Sequence, residues 1–190
     1  MQTLISRAFA TANSRKHTAK TPGDLNRKMS QCFVACLADE LVERYRDRAN
    51  VTVMANHIDR HRVAFGMNEM MFDVVAFEWD TVQSAAQRKP LSFVTKGLLA
   101  VESEMAKDTR GAIYDFNKLV LGAAEEKLFI GPVVANGNAY RETLKAVARN
   151  CHGRLQLAHI PHPEDWGRLG KDAIELWAWE EGDWCRVPVR

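Results

Sequence analysis

Three carboxylates stand at positions where two neighbouring strands of a sheet could bring them together. Asp73 lies inside the apolar stretch MMFDVVAF, and Glu102 and Glu104 end the apolar run LLAVESE. Residues two apart on a strand point to the same side, and cross-strand neighbours lie about 5 Å apart. Close carboxylates repel one another, and a hard divalent cation removes that repulsion. We therefore predict that Asp73, Glu102 and Glu104 form a Mg²⁺ or Mn²⁺ site.

A divalent cation held in this way is suited to phosphoryl chemistry. Mg²⁺ prefers one or two carboxylates, water molecules and a substrate phosphate as its ligands, and the bound ion can activate water for attack on a phosphodiester. Glu69, four residues before Asp73, would share its strand face and is a further candidate ligand. The alternative for each acid is structural, because a carboxylate at a strand end also caps helices or pairs with basic residues.

The order of these acids and of the elements around them resembles the PD-(D/E)XK nucleases, which have the restriction-endonuclease-like fold. In that family an acid on one strand is followed by acid-x-Lys on the next strand and then by a helix. Asp73 matches the first acid and Glu102 the second, whereas Glu104 stands where most members have lysine. The resemblance covers residues 24–160 and implies a Mg²⁺-dependent endonuclease that hydrolyses DNA.

The resemblance also implies a lysine that stabilises charge on the phosphate and an auxiliary acid on the first helix. Lys118, in the helix after the motif, is the candidate for this lysine, since Lys107 is expected on a loop. The alternative for Lys118 is an exposed ion pair with Asp115, three residues earlier. Glu40 or Glu43 would be the auxiliary acid. Without a placed lysine, the chain would be a non-cleaving relative.

Hydrophobic periodicity predicts one α/β domain with a mixed central sheet flanked by helices. A helix is expected over 21–48, capped by Thr21 or Asp24. The remaining expected elements are strands at 51–56 and 63–80, a polar connection at 81–90, a strand at 91–105, a helix at 107–124, a strand at 127–134, a helix at 136–150, a strand at 154–160 and a hairpin at 173–189.

Charge is unevenly distributed along a chain of 190 residues whose formal net charge is only +2. Residues 1–23 contain arginines and lysines and no acid, and we predict a basic N-terminal arm before a single domain of residues 24–190. A short helix packed on the domain is the alternative, and the composition is also that of an organellar transit peptide. The arm, the Arg-rich end of the first helix and the segment HIDRHR would hold phosphates without sequence preference.

The histidines give weaker signals than the carboxylates. His57 and His61 indicate a solvated or phosphate-facing patch, although they could hold a metal on a helix, and His159 and His162 indicate a surface turn. The late tryptophans predict core packing or an oligomer contact, and the C-terminal hairpin is the expected interface of a possible homodimer.

The cysteines and the lack of long apolar runs bear on location. Cys32 and Cys36 are one helical turn apart and predict a buried helix face. No run approaches the ~20 apolar residues of a membrane span, and no secretory signal is recognised. We therefore expect reduced thiols, no membrane contact and a cytoplasmic protein.

Two other functions stay open beside DNA cleavage. One is a catalytically degenerate member of the same fold that binds nucleic acid or protein. The other is a metal-dependent hydrolase of a small phosphorylated substrate. Carboxylates beside a lysine in an open pocket favour the nuclease, neutralisation of the acids by buried arginine favours the binding protein, and a narrow closed pocket favours the small substrate.

Overall fold

Seven strands form one mixed sheet, in chain order, in the computed structural model, which describes residues 1–55, 58 and 71–188. The strands are β1 (Val51–Ala55), β2 (Val74–Ser84), β3 (Lys89–Ser103), β4 (Glu126–Pro132), β5 (Arg154–Ile160), β6 (Glu175–Glu180) and β7 (Asp183–Arg186). The β3–β4 and β4–β5 pairs are parallel and the other four pairs are antiparallel. The predicted α/β class with a mixed sheet is confirmed.

Helices cover both faces of the sheet, as predicted. They are α1 (Gln2–Ser14), α2 (Pro22–Tyr45), α3 (Thr109–Leu121) and α4 (Gly137–Ala148). Helices α1 and α2 pack on one face, and α3 and α4, which make the two parallel crossovers, pack on the other. None of the helices in the described part of the chain is both long and apolar enough to cross a bilayer.

Side-chain caps fix where helices α2 and α3 begin. The Thr21 side chain accepts a hydrogen bond from the N–H of Asp24, so α2 begins where the sequence predicts. The Asp108 carboxylate accepts from the N–H groups of Arg110 and Gly111 at 3.0 and 3.1 Å. Such caps satisfy N–H groups that have no partner within the helix. The cap at Asp108 therefore sets the positions of all later side chains on α3.

Helix α1 belongs to the core on the α2 face of the sheet. Its buried side chains are Ile5, Ala8, Phe9 and Ala12. The ring of Phe9 meets that of Trp166 edge to face, with centroids 5.2 Å apart. The segment predicted as a basic arm thus contains a helix packed on the rest of the chain, which is the alternative considered for it.

The predicted polar connection over residues 81–90 is wrong, because most of it is strand. Strand β1 pairs with β2 only as far as Glu78, and β4 pairs with β3 only from Leu99. Beyond those points residues 79–84 and 89–94 pair with each other and with no other described strand, joined by a turn at 85–88, and form what we call the β2–β3 ribbon. Both faces of a two-stranded ribbon meet water, so its polar side chains do not distinguish it from a loop.

Asp73 lies in a bend just before β2, so its predicted place inside a strand is wrong. Its carboxylate accepts a hydrogen bond from the N–H of Ser103, at the point of β3 where β2 no longer supplies a main-chain partner. Residues 63–70 of the predicted strand lie outside the described residues. So do Glu69, His57, His61 and the rest of HIDRHR except Ile58.

Two glycines with left-handed backbone allow a matched test of packing at a turn. Gly153 has φ 85° and Gly182 has φ 84°, but only at Gly153 would a Cβ meet neighbouring backbone, 2.7 Å from the Glu125 carbonyl oxygen. Left-handed backbone costs a residue with a Cβ about 1–2 kcal/mol, and forced overpacking adds about 1–3 kcal/mol.

We expect Gly182→Ala to lower the free energy of unfolding by about 1 kcal/mol and Gly153→Ala to lower it by about 2–4 kcal/mol. Urea unfolding of the two variants beside the wild type measures both values. Equal losses at the two positions would contradict the close approach of Gly153 to Glu125.

Candidate active site

The carboxyl end of β3 carries the predicted acids, and the start of β2 brings Asp73 beside them. Val74 pairs with Val101, so Asp73 arrives next to the end of β3. Its Oδ2 accepts two hydrogen bonds from Ser103, from N–H at 2.9 Å and from Oγ at 2.8 Å. No described residue hydrogen-bonds its Oδ1. Antiparallel pairing of β2 and β3 therefore accounts for the predicted neighbourhood of Asp73 and Glu102.

Glu102 is a buried carboxyl group that is only partly compensated. Its side chain is 1% exposed. One oxygen, Oε2, accepts from the Nζ of Lys118 at 3.1 Å, whereas Oε1 is buried with no hydrogen-bond partner. Burial, and then the negative charge of Asp73, raise the pKa of Glu102 to about 8, against the opposing effect of Lys118. A cation near Oε1 would lower this pKa and favour the charged form.

Lys118 connects Glu102 to a second acid on its own helix. Its Nζ lies 2.8 Å from Oδ1 of Asp115 as well as 3.1 Å from Glu102. Burial lowers the pKa of Lys118, but the hydrogen bonds to Asp115 and Glu102 outweigh it, and the net pKa is higher than usual. The side chain is still 33% exposed, so this permanently charged amine also reaches solvent. The ion pair with Asp115 that the sequence offers as the alternative for Lys118 is therefore present, beside a second pair with Glu102.

Glu104 turns towards the start of α3 rather than towards Asp73. Its Oε1 accepts from the N–H of Ala106 at 2.6 Å, and its side chain lies over Gly111, where a Cβ would stand 3.5 Å from its Cγ. Burial raises the pKa of Glu104, the Ala106 N–H opposes that effect, and the nearby carboxyl of Asp115 raises the pKa further. The result is a carboxyl group better suited to accept a proton near neutral pH.

Asp115 belongs to this cluster through Lys118, although its position in the sequence indicates no site role. It entered only as an alternative partner for Lys118. Gly111, Asp115 and Lys118 are spaced at i, i+4 and i+7, so they share one face of α3. That spacing, with a glycine opposite the predicted acids, is the signal that could have identified it. We refer below to Asp73, Glu102, Glu104, Asp115 and Lys118 as the acidic cluster.

Two open clefts give solvent access to Asp73, Glu104 and Asp115 of the acidic cluster. A cleft of about 410 Å³ lies between α2 and the end of β3, and Asp73, Ser103 and Glu104 line it opposite Arg27. A second cleft of about 540 Å³ runs along the start of α3, where Glu104 and Asp115 line it. Glu104 lines both clefts. A phosphate entering from either side therefore meets the same carboxyl group.

The predicted three-carboxylate metal site is not assembled as one group. Among the described residues there is no set of three or more histidine, cysteine, aspartate or glutamate side chains placed to hold a metal. Asp73 and Glu102 do fit a hard cation, because Glu102 offers a buried, unpartnered oxygen beside the charge of Asp73. A Mg²⁺ ion needs only one or two carboxylates when water and a phosphate complete its ligands.

Other predicted members of the site lie elsewhere. Glu40 pairs with Arg7 of α1, and Glu43 pairs with Arg46, so each of the two predicted auxiliary acids has a basic partner outside the cluster. Lys107 is exposed and pairs with Glu164 at 3.1 Å. Each of these side chains already has a partner outside the acidic cluster.

The Arg-rich end of α2, which the sequence predicts to hold phosphates without sequence preference, lies at the other end of the strands from the carboxylates. Arg48 pairs with Glu78 of β2, whose partner on β3 is Lys96. Lys96 precedes Glu102 by six positions, which is roughly 20 Å along a strand. A phosphate held by this end of α2 would be far from the acidic cluster.

His159 is buried in β5, so its predicted place in a surface turn is wrong. Its Nδ1–H donates to the carbonyl oxygen of Pro132, with 2.9 Å between the two atoms, and burial lowers its pKa. The run RLQLAHI continues as strand through this residue because β5 lies between β4 and β6 and is covered on both faces.

The tryptophans serve core packing at the described positions. Trp166 and Trp184 are buried, and each donates its ring N–H to a main-chain oxygen, of Pro161 and Arg141 respectively. The guanidinium of Arg141 lies 3.8 Å from the ring centroid of Trp177. The four cysteines are free thiols, and Cys36 is buried on α2 as predicted.

No protein-family model matches this sequence, and the comparison with curated proteins gives no match either.

The raised pKa of Glu102 predicts a pH-dependent effect of removing its charge. In the unfolded chain this carboxyl loses its proton near pH 4.5, but in the folded chain only near pH 8. The folded state therefore binds more protons between these values, and stability falls as the pH rises through them.

We expect Glu102→Gln to remove this pH-dependent loss of stability. The melting temperature of the variant relative to the wild type should therefore rise steadily from pH 5 to pH 8. Each kcal/mol changes the melting temperature by about 2–4 °C in a chain of this size. Thermal unfolding by circular dichroism measures the difference. Glu142→Gln, which removes an exposed partner of Lys145, is the control and should give a flat difference.

Proposed function

We propose that this protein is a divalent-metal-dependent nuclease that hydrolyses phosphodiester bonds of DNA. The observation that carries the proposal is the half-compensated Glu102, with one oxygen on Lys118 and the other buried without a partner beside Asp73. A carboxyl group left in that state is costly, and it supports the binding of a cation. Lys118 supplies the amine whose absence would have favoured a non-cleaving relative.

The fold supports the same proposal at the level of architecture. An antiparallel meander of β1, β2 and β3 follows α2, and the helix α3 then crosses to a parallel β4. That order, with Asp73 just before β2 and Glu102 at the end of β3, is close to the pattern of the PD-(D/E)XK nucleases, in which an acid on one strand precedes a second acid on the next strand and then a helix. We propose the restriction-endonuclease-like fold on this basis.

Each residue of the acidic cluster has a role that its contacts support. Lys118 remains charged and partly exposed, so it can donate to a non-bridging oxygen of the phosphate and stabilise charge that develops there. Glu104, with its raised pKa and its place in both clefts, can accept the proton of the attacking water. Asp115 holds Lys118 in place. Ser103 holds Asp73.

A bound Mg²⁺ or Mn²⁺ would be held by Asp73 and Glu102 and would supply Lewis-acid stabilisation and a more acidic water. In the overall reaction the oxygen of water forms a bond to phosphorus, the bond to one ester oxygen breaks, and the leaving oxygen takes up a proton. The open clefts favour a polymer over a small phosphorylated substrate, since a small ligand is usually enclosed by its pocket.

A degenerate binding protein of the same fold is the second candidate. The favouring observation is that Lys118 pairs with both Glu102 and Asp115, which an ion-pair network without catalytic function would also show. Binding of DNA, a cytoplasmic location and a possible homodimer accompany both candidates as predictions. Activity of defined variants distinguishes the two.

Replacement of Lys118 tests whether its amine acts on the substrate. We expect Lys118→Ala to lower the rate of Mn²⁺-dependent cleavage of duplex DNA by about 10²–10³-fold, as is typical when one charge-stabilising donor is removed. Lys118→Arg should recover part of that rate. The measurement is single-turnover cleavage of a labelled duplex, with melting temperatures to verify folding.

Lys145→Ala is the matched control, since Lys145 also bridges two acids, Glu142 and Asp183, at 2.7 and 2.8 Å but lies on α4. It should cleave at the wild-type rate. Absence of cleavage by the wild type, with either metal, would leave the binding protein as the function.

Calorimetric titration of Mn²⁺ and Mg²⁺ tests the metal site directly. We expect saturable binding to the wild type that is lost in Asp73→Ala and kept in Asp80→Ala, an exposed aspartate of β2. Because the metal competes with the proton on Glu102, the affinity should rise by up to about tenfold per pH unit below pH 8 and then level off. Binding that is unchanged in Asp73→Ala would place the metal elsewhere.

A further inference from the structure

The β2–β3 ribbon projects from the body of the sheet. Residues 79–84 and 89–94 pair with one another in six cross-strand pairs, and neither β1 nor β4 continues beside them. At roughly 3.3 Å per residue the ribbon is about 20 Å long. Its side chains are mostly exposed, and the acidic cluster does not involve them.

The charge on the ribbon has one sign towards its tip. From Thr81 to Val101 the sequence contains no acidic residue. Arg88 and Lys89, at the turn, are exposed and have no ion pair with any described residue, whereas Lys96 at the base pairs with Glu125 at 2.8 Å. Two uncompensated cations therefore stand at the end of a projecting element.

Both faces of the ribbon carry polar side chains. The register places Thr81 opposite Ser92 on one face, followed by Gln83, and all three side chains are exposed. The other face carries Asp80 opposite Phe93, Val82 opposite Leu91 and Ser84 opposite Lys89. The first face also includes Trp79, Pro90 and Val94, so Thr81, Gln83 and Ser92 are the side chains there that are free to exchange hydrogen bonds with a ligand.

We propose that the β2–β3 ribbon binds duplex DNA by entering the major groove, with Arg88 and Lys89 on the phosphates and Thr81, Gln83 and Ser92 towards the base edges. The proposal rests on the proposed function, which makes DNA the substrate. The major groove accommodates a two-stranded ribbon, and glutamine, serine and threonine are side chains that bond base edges there. Uncompensated cations at the tip are complementary to phosphate.

The position of the ribbon sets a minimum length for the DNA. Strand β3 runs from Lys89 at the tip to Glu102 at the acidic cluster, a distance of about 40 Å along a strand. A duplex rises 3.4 Å per base pair, so about 12 base pairs separate the two contacts. A shorter duplex can reach the acidic cluster or the ribbon, but not both.

The experiment measures binding of 24-bp and 8-bp duplexes by fluorescence anisotropy in EDTA, where cleavage cannot occur. We expect the double variant Arg88→Ala/Lys89→Ala to bind the 24-bp duplex at least about tenfold more weakly than the wild type, with a salt-dependence slope smaller by about two. Its affinity for the 8-bp duplex should fall much less. Arg149→Ala/Lys171→Ala, which removes two exposed cations elsewhere, should bind like the wild type.

Wild-type affinity of the double variant for the 24-bp duplex would overturn the proposal, and so would absence of binding by the wild type. Metal-dependent cleavage of the same duplexes is measured separately. Ribbon-dependent binding without any cleavage would reject the nuclease and keep the ribbon as a DNA contact. Cleavage and binding that are both unchanged in Arg88→Ala/Lys89→Ala would keep the nuclease and reject the ribbon as a DNA contact.

Sedimentation of Val82→Ser/Phe93→Ser tests the other face. Suppose that the wild type is a dimer that Val82→Ser/Phe93→Ser dissociates, and that Arg88→Ala/Lys89→Ala binds DNA like the wild type. The ribbon would then be a contact between two copies of the chain, and the proposal would be overturned.

Discussion

The constraint on which this structure depends is the burial of one carboxyl group, that of Glu102. A charge removed from water is costly unless it is paired, and here a single lysine supplies the pairing while a neighbouring aspartate opposes it. Helix α3 must therefore present Lys118 at one position above the end of β3. The Asp108 cap fixes that position from three helical turns away. A shift of one residue at the cap would leave the acid without its partner.

The acidic cluster lies where the sheet changes from antiparallel to parallel pairing. Because β2 is antiparallel to β3, it begins beside the end of β3, and Asp73, just before β2, lies there. Because β4 is parallel to β3, the chain must cross over from that same end, and the crossover is α3 with Lys118. Two different pairing rules thus bring residues that are distant in sequence to a single strand end.

The sequence predicted those features that repeat along an element or that a cap marks. The presence of α2 and α3 followed from periodicity, the start of α2 followed from the Thr21 cap, and the meeting of Asp73 with Glu102 followed from strand pairing. Side-chain direction beyond a strand end was not predictable: Glu104 bends to an N–H of its own loop rather than to Asp73. The strand character of residues 81–90 was missed because an exposed ribbon has no buried face to give an alternating pattern.

The contact of α1 with Trp166 joins residues from near the two ends of the chain. Phe9 packs on the Trp166 ring, and Ile174 lies in the same core cluster. During synthesis the N-terminal segment emerges first, at about 5–20 residues per second, and its partners emerge last. The α2 face of the core can close only after some 160 further residues have left the ribosome. Helix α1 can pack on α2 early, but the part of its apolar face that Trp166 covers stays in water until then, which makes it a surface of the nascent chain that chaperones would bind.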